Sequence, residues 1–144
     1  MTCISKTALI PYSAEKMYDL VADVDNYQLF LPWCGASRIL NQTQDEVKGL
    51  VEIQHMGMNK TFTTLNRMQK NKMIEMRLVE GPFKHLQGFW RFNALDENAC
   101  KISLDLEFEF SNKLMSMAFG PIFSQIANTM VDAFCKRAVD VYGK

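Results

Sequence analysis

Hydrophobic and polar residues alternate with a period of two through most of the chain between positions 36 and 110. Such alternation is typical of strands that bury one face and expose the other. Turn-forming residues divide this region into six predicted strands, at about 36–44, 46–56, 60–69, 73–80, 86–95 and 100–110. The last strand shows the pattern best, with a buried face predicted at Ile102, Leu104, Leu106, Phe108 and Phe110.

Helical patterns lie on both sides of this region. Ser13 is a suitable N-cap for a short amphipathic helix, and a second short helix or turn extends from about Asp25 to Pro32. From Asn112 to Tyr142, apolar residues recur at steps of three and four, which predicts a long helix. Gly120-Pro121 lies inside this helix and should kink or break it.

The order of these elements predicts the fold class. Residues 2–10 add an edge strand before the two short helices. The links between the later strands are short, and this requires antiparallel neighbours, because a parallel pair needs a long crossover connection. We therefore expect one α+β domain over residues 1–144, in which an antiparallel sheet of six to seven strands curls around the long C-terminal helix.

The net charge is zero, with 16 basic and 16 acidic side chains, but the charges are unevenly distributed. Residues 96–109 are mainly acidic, whereas residues 60–77 carry an excess of positive charge. We call the basic residues of this second segment the basic hairpin: Lys60, Arg67, Lys70, Lys72 and Arg77. It could contact RNA or another anionic surface, or it could be an ordinary solvated hairpin. DNA is not among the expected partners.

No motif predicts catalysis. The sequence has no metal-binding His/Cys spacing, nucleophile elbow, phosphate loop or dinucleotide fingerprint. Of the two histidines, His85 is predicted in a surface loop, and His55 shares strand parity with Val51 and Ile53, which favours an inward orientation. We expect no catalytic residue and no metal site, and the protein is expected not to be an enzyme.

The cysteines and the N-terminus bear on localisation. The four cysteines form no C-x-x-C pair, and the first residues lack the layout of a signal peptide. No apolar run is long enough to cross a membrane. We expect a cytoplasmic protein with four reduced thiols. A peripheral contact with the inner membrane is left open.

Three ordered segments carry a resemblance to a known family. They are Phe30-Leu31-Pro32-Trp33-Cys34, then residues 81–92, and finally the closing segment 108–143. Together they resemble the coenzyme Q-binding branch of the START-like (polyketide cyclase/dehydrase-type) superfamily, whose bacterial members include ribosome association toxins. The resemblance covers essentially the whole chain.

The resemblance implies a helix-grip fold with an apolar cavity between the sheet and the C-terminal helix. It implies binding of ubiquinone (coenzyme Q) or a similar polyprenyl lipid, which would support respiratory electron transport, and no required cofactor. For the toxin members it implies association with the large (50S) ribosomal subunit and inhibition of translation initiation by blocking 70S formation. Quinone binding is the first hypothesis and the ribosome toxin is the alternative. An aromatase or cyclase is a weaker third, because no inward acid–base pair is evident.

The candidate ligand-binding residues are apolar and come from three parts of the chain. Burial of each methylene of an isoprenoid tail is worth about 0.8 kcal/mol, so an apolar slot would suffice for binding. Each candidate is also a plausible core residue. Gly88 should leave room for a helix or a ligand, and the Trp33 indole could donate to a headgroup oxygen. The candidates are Phe30, Leu31, Pro32 and Trp33 near the second helix, Phe83, Trp90 and Phe92 on the sheet, and Phe119, Phe123, Ile126 and Met130 on the long helix.

Overall fold

The secondary structure follows the predicted order of one strand, two short helices, six strands and a long helix. The computed structural model describes residues 1–143, so the last residue of the predicted domain lies outside the described part. A 3₁₀ turn at Val24–Asn26 precedes the second helix. The strands are β1 (Thr2–Ile10), β2 (Cys34–Gln42), β3 (Glu46–His55), β4 (Met58–Gln69), β5 (Met73–Glu80), β6 (Phe83–Asp96) and β7 (Ala99–Phe110), and the helices are α1 (Ala14–Ala22), α2 (Tyr27–Phe30) and α3 (Lys113–Tyr142).

The seven strands form one antiparallel sheet in the order β1-β7-β6-β5-β4-β3-β2. All strands from β2 to β7 pair with their neighbours along the chain, as the short connections require. Strand β1 pairs with β7 and occupies one edge of the sheet, which confirms the predicted edge strand.

Both predicted N-caps are confirmed. The hydroxyl of Ser13 accepts a hydrogen bond from the Lys16 backbone amide at 3.1 Å. The Asn112 side chain accepts from the Met115 amide at 2.8 Å. Each cap satisfies a backbone donor that the first turn of a helix leaves without an intrahelical partner.

Of the kink or break predicted at Gly120-Pro121, the break is wrong, because α3 continues from Lys113 to Tyr142 with Pro121 inside it. A proline ring disfavours helical geometry at the preceding residue by meeting its backbone N–H and its Cβ. Gly120 has no Cβ, so the clash with Cβ is absent. The interruption that remains is the hydrogen bond that Pro121 cannot donate and the crowding of its ring against the Met117 carbonyl.

The loop predicted around His85 is also wrong, since β6 already begins at Phe83 and His85 lies within the strand. Phe83 pairs with Phe110, and the register shifts before His85 pairs with Glu109. This bulge changes the strand parity. An extra residue on one strand exchanges the inward and outward positions of the residues on its two sides. The buried Phe83 and Leu86 are therefore three residues apart, and a strict period of two misses the start of the strand.

The core lies between the concave face of the sheet and α3. The five positions of β7 predicted to face the core, from Ile102 to Phe110, are all buried. Ser103, predicted on the exposed face, is buried as well. At the centre, Trp90 of β6 meets Phe134 of α3 edge-on, with ring centroids 5.3 Å apart. The room predicted above Gly88 is not open to a helix or a ligand, because a Cβ there would lie 2.8 Å from Met76 Cε and 2.9 Å from Leu106 Cδ1.

Candidate functional site

A cavity of about 70 Å³ lies between the sheet and α3. A few water molecules fill such a volume, whereas sites for drug-sized ligands are several times larger. In this conformation the cavity is therefore nearly closed. Its walls come from five strands, the 3₁₀ turn, α2, the loop after it and α3: Val24, Tyr27, Trp33, Gly49, Val51, Phe62, Thr64, Asn66, Met76, Leu86, Trp90, Leu104, Leu106, Phe123, Ile126, Ala127 and Met130.

Five of the eleven candidate ligand-binding residues lie in this wall. Trp33 comes from the loop after α2, Trp90 from β6, and Phe123, Ile126 and Met130 from consecutive turns of α3. These side chains converge because α3 crosses the concave face of the sheet. Both tryptophans of the chain thus face the same cavity.

Four other candidates lie outside the cavity wall. Phe83 belongs to an aromatic cluster in which its ring centroid is 4.7 Å from that of Phe110. Phe92 packs edge-on against Tyr18 of α1 at 5.7 Å, and Leu31 is buried in the core. Phe119 lies under the Lys60 ammonium group, 5.5 Å from the ring centroid.

The remaining two candidates, Phe30 and Pro32, line a surface groove of about 750 Å³ between α2 and α3. His55 also lines this groove and does not belong to the cavity wall. Its side chain therefore faces the surface groove and not the cavity. Trp33 and Ile126 line both spaces. These two side chains therefore form the partition between the groove and the cavity.

The α2 segment is anchored by specific contacts. The Tyr27 hydroxyl donates to the Val21 carbonyl oxygen, and burial raises its pKa far above the ordinary value, so it remains a neutral donor. The rings of Tyr27 and Phe30 meet Phe134 edge-on at 5.3 and 5.4 Å. The Arg137 guanidinium group covers the outer face of Phe30 at 4.9 Å. These contacts fix the start of the loop that carries Trp33.

Two polar residues of the cavity wall, Thr64 and Asn66, were missed by sequence reasoning. Both are buried, and the Thr64 hydroxyl donates to Asn66 Oδ1 at 2.9 Å. The signal that could have revealed them is parity, because they follow Phe62 at steps of two on the same face of β4. A search for apolar lining residues alone cannot detect such a pair.

The basic hairpin is divided by the structure. Lys60 shares strand parity with Phe62 and lies on the concave side, against Phe119 of α3. Lys70 and Lys72 lie in the turn between β4 and β5. The five basic side chains thus do not share one face of the sheet.

The other two basic residues lie on the convex face next to carboxylates. Arg67 Nε is 3.8 Å from Glu46, and an Arg77 guanidinium nitrogen is 3.3 Å from Glu75. Glu46 and Glu75 pair with Arg67 across the two neighbouring strands. These carboxylates therefore offset part of the positive charge that residues 60–77 carry along the sequence.

The acidic residues of β7 also face basic partners on β6. Asp105 accepts from Arg91 at 2.7 Å, and Glu107 lies 3.0 Å from His85 Nε2. In residues 1–143 no group of three or more His, Cys, Asp or Glu side chains is placed to hold a metal ion. Arg91 and Asp105 thus offset each other's charge on the convex face.

Burial governs the protonation of three of the cysteines. It raises the pKa of the Cys34 and Cys100 thiols. For Cys135, burial together with nearby Asp132 and Cys100 raises the pKa to about 11. The thiolate is the nucleophilic form, so these groups are poor nucleophiles at neutral pH.

Within the described range 1–143, no helix is both long and apolar enough to cross a membrane.

The comparison with protein families decides the relationship. A family model described as polyketide cyclase/dehydrase and lipid transport matches residues 10–135. The chain belongs to this family. The START-like relationship inferred from the three segments is confirmed, and with it the helix-grip fold of a sheet around a long C-terminal helix.

Two curated relatives represent the two branches of the resemblance. The ribosome association toxin RatA of Escherichia coli (strain K12) is 51% identical over 142 residues, which cover 99% of this chain and 90% of that protein. The mitochondrial coenzyme Q-binding protein COQ10 homolog B of Xenopus laevis is 28% identical over 144 residues, which cover 97% of this chain and 59% of that protein.

The same fold is also found in a solved structure whose sequence is much less similar to this chain. The Zhui aromatase/cyclase from Streptomyces sp. R1128 superposes with a TM-score of 0.83, covering 99% of this chain and 98% of that one. Its sequence identity is 18%. At that identity the likeness concerns the fold and not the reaction.

Proposed function

We propose that this chain associates with the large ribosomal subunit and blocks its joining to the small subunit. The observation that carries the proposal is the 51% identity with RatA along nearly the whole chain, since no large part is left to differ. The coenzyme Q-binding relative is much more distant, at 28% identity. Ribosome association is therefore our first proposal, and quinone binding is the second. A protein that acts on ribosomal subunits works in the cytoplasm, so this proposal includes a cytoplasmic location.

The test is a sucrose gradient of lysates from cells that overexpress the chain. We expect the 70S peak to fall, free subunits to rise, and the protein to sediment with the large subunit. An unchanged 70S peak at high expression would contradict the proposal.

Charge-neutralising variants test whether the β4–β5 turn makes the contact. The double variant Lys70→Gln/Lys72→Gln should restore 70S particles if this turn contacts ribosomal RNA, because each lost phosphate contact weakens binding. The matched control is Lys6→Gln/Lys101→Gln, which removes two exposed cations at the β1–β7 edge of the sheet. Equal effects of both double variants would reject a specific role for the turn.

We propose, as a second function, that the cavity binds an apolar ligand, with ubiquinone or another isoprenoid quinone as the first candidate. Support comes from the apolar wall and from the partition of Trp33 and Ile126 between cavity and groove. The cavity holds about 70 Å³, so a quinone ring can enter only if this partition moves. A role in respiratory electron transport and a peripheral contact with the inner membrane depend on this second function.

Organic extraction of the purified protein followed by mass spectrometry tests the ligand. We expect an isoprenoid quinone in the extract, and binding of added ubiquinone to depleted protein. The variant Trp33→Ala should lower quinone retention with an unchanged far-UV CD spectrum. Leu29→Ala is the control, because Leu29 lines only the groove and is exposed. If the extract contains no quinone and added quinone does not bind, this second function is wrong.

A further inference from the structure

The Thr64–Asn66 pair is a polar site in an otherwise apolar wall. Both residues lie on the cavity-facing side of β4 and are 8% exposed. The Thr64 hydroxyl donates to Asn66 Oδ1 at 2.9 Å, so the amide oxygen of Asn66 faces Thr64. The amide nitrogen of Asn66 remains as a donor of two hydrogens.

The residues paired with Asn66 on the neighbouring strands offer its amide no strong side-chain acceptor. Across the sheet, Asn66 pairs with Val47 on β3 and with Met76 on β5. In the part of the chain that the structure describes, the bond from Thr64 is the one hydrogen bond of the Asn66 side chain. The polar groups of buried side chains normally have a protein, water or ligand partner.

The chemistry of the wall defines the class of this partner. No Lys, Arg, Asp, Glu or His belongs to the cavity lining in residues 1–143, so a charged ligand would find no counter-charge. The lining is mainly aliphatic and aromatic, which suits an apolar body. The free donors of Asn66 suit a neutral acceptor oxygen.

We propose that Thr64 and Asn66 recognise a carbonyl oxygen of a neutral, apolar ligand such as a quinone. The Asn66 amide nitrogen donates to the ligand carbonyl, and Thr64 holds the amide in place from the other side. Asn66 is thus the specificity-determining residue, and Thr64 is a positioning residue. This inference rests on the proposed ligand-binding function of the cavity.

Two probes of nearly equal shape separate recognition of the carbonyl from simple apolar binding. They are 2,3-dimethyl-1,4-naphthoquinone and 2,3-dimethylnaphthalene, which differ in the two carbonyl groups. The methyl groups block the carbons that thiols attack, so the exposed Cys3 does not react with the quinone. Equilibrium dialysis measures the affinity of both probes for the intact chain.

We expect the wild-type protein to prefer the quinone. Asn66→Leu, a change of similar volume, should weaken quinone binding about tenfold and leave the hydrocarbon unchanged or tighter, because it removes one net hydrogen bond. Thr64→Val should weaken quinone binding by a smaller factor, about threefold. The control Met76→Leu changes the wall beside Asn66 without a polar group, so it should affect both probes alike.

The outcomes distinguish this inference from the function on which it rests. If neither probe binds the wild-type protein, the ligand-binding function fails. If both probes bind equally and Asn66→Leu changes neither affinity, ligand binding stands but carbonyl recognition is wrong, and the amide binds water only. Should Asn66→Leu not fold, the preference of the wild-type protein and the Thr64→Val variant still decide the question.

Discussion

The two parts of α3 have similar apolar contents but different environments. In residues 113–122, Leu114 and Met117 are 77% and 72% exposed. In residues 123–142, Phe134 and Ala138 are fully buried, and Val131 is nearly so. The first part contains Pro121, whereas the second forms one wall of the cavity.

This difference shows that position against the sheet, and not apolar content, decides the burial of a residue in α3. Phe123 marks the boundary, because its ring packs against Phe108 at 4.7 Å and Phe83 at 5.0 Å. From that residue onwards, the helix lies over the concave face of the sheet. Met115, Phe119 and Ile122 of the first part are only partly buried against the core. The stability of the fold should therefore depend more on the second part of α3 than on the first.

The largest expected effect is that of Phe134→Ala. The Phe134 ring contacts Tyr27, Phe30 and Trp90 edge-on, and its removal leaves a cavity that these rings cannot fill. We expect the free energy of unfolding in urea to fall by about 3–5 kcal/mol. The matched control is Leu114→Ala in the exposed part, which should change it by less than about 0.5 kcal/mol. Similar losses for both variants would remove the distinction between the two parts.

A smaller effect of opposite sign is expected for Pro121→Ala. The new amide can donate to the Met117 carbonyl, and we expect a gain of about 1–2 kcal/mol, less than the full cost of an interior proline because the first part of α3 is exposed. Hydrogen exchange of the amides of residues 113–120 should slow. Gly120→Ala with Pro121 retained should give no gain, because its Cβ would meet the proline ring. Equal gains from both variants would contradict our explanation of the continuous helix.

Alternation and helical periodicity sufficed to predict the element order, the edge strand and both N-caps. They failed at two places where a single residue changes the local backbone pattern. The bulge near Lys84 shifts parity and hides the start of β6. Gly120 removes the Cβ that the ring of Pro121 would otherwise meet, and the helix continues. Both effects depend on the neighbours of a residue and not on its type alone.

The candidate site was less predictable, because the sequence does not show which apolar residues lie beside empty space. Trp33 and Trp90 line the cavity, whereas Phe83 and Phe92 have the same character and pack in the core. The basic hairpin shows a related failure. A count of charges along the chain ignores strand parity, which places Lys60 on the concave side of the sheet.

The smallest expected effect concerns the thiol of Cys135 in the packed part of α3. Its pKa is raised from 9.0 to about 11, first by burial and then by Asp132 and Cys100. In the unfolded chain the thiol releases its proton near the ordinary value, while the folded state keeps it. This contribution to stability is therefore complete below about pH 9 and is lost as the pH rises from 9 to 11.

Alkylation by iodoacetamide measures this difference directly, because the thiolate is the reacting form. In a Cys3→Ser background, we expect the rate at Cys135 to rise only as the pH approaches 11. A reference thiol introduced by Met117→Cys in the exposed part should react with an ordinary pH profile, near pH 8.5. Coincident profiles at the two positions would show that the packed part of α3 does not exclude water from Cys135, and the contrast between the two parts would then concern packing alone.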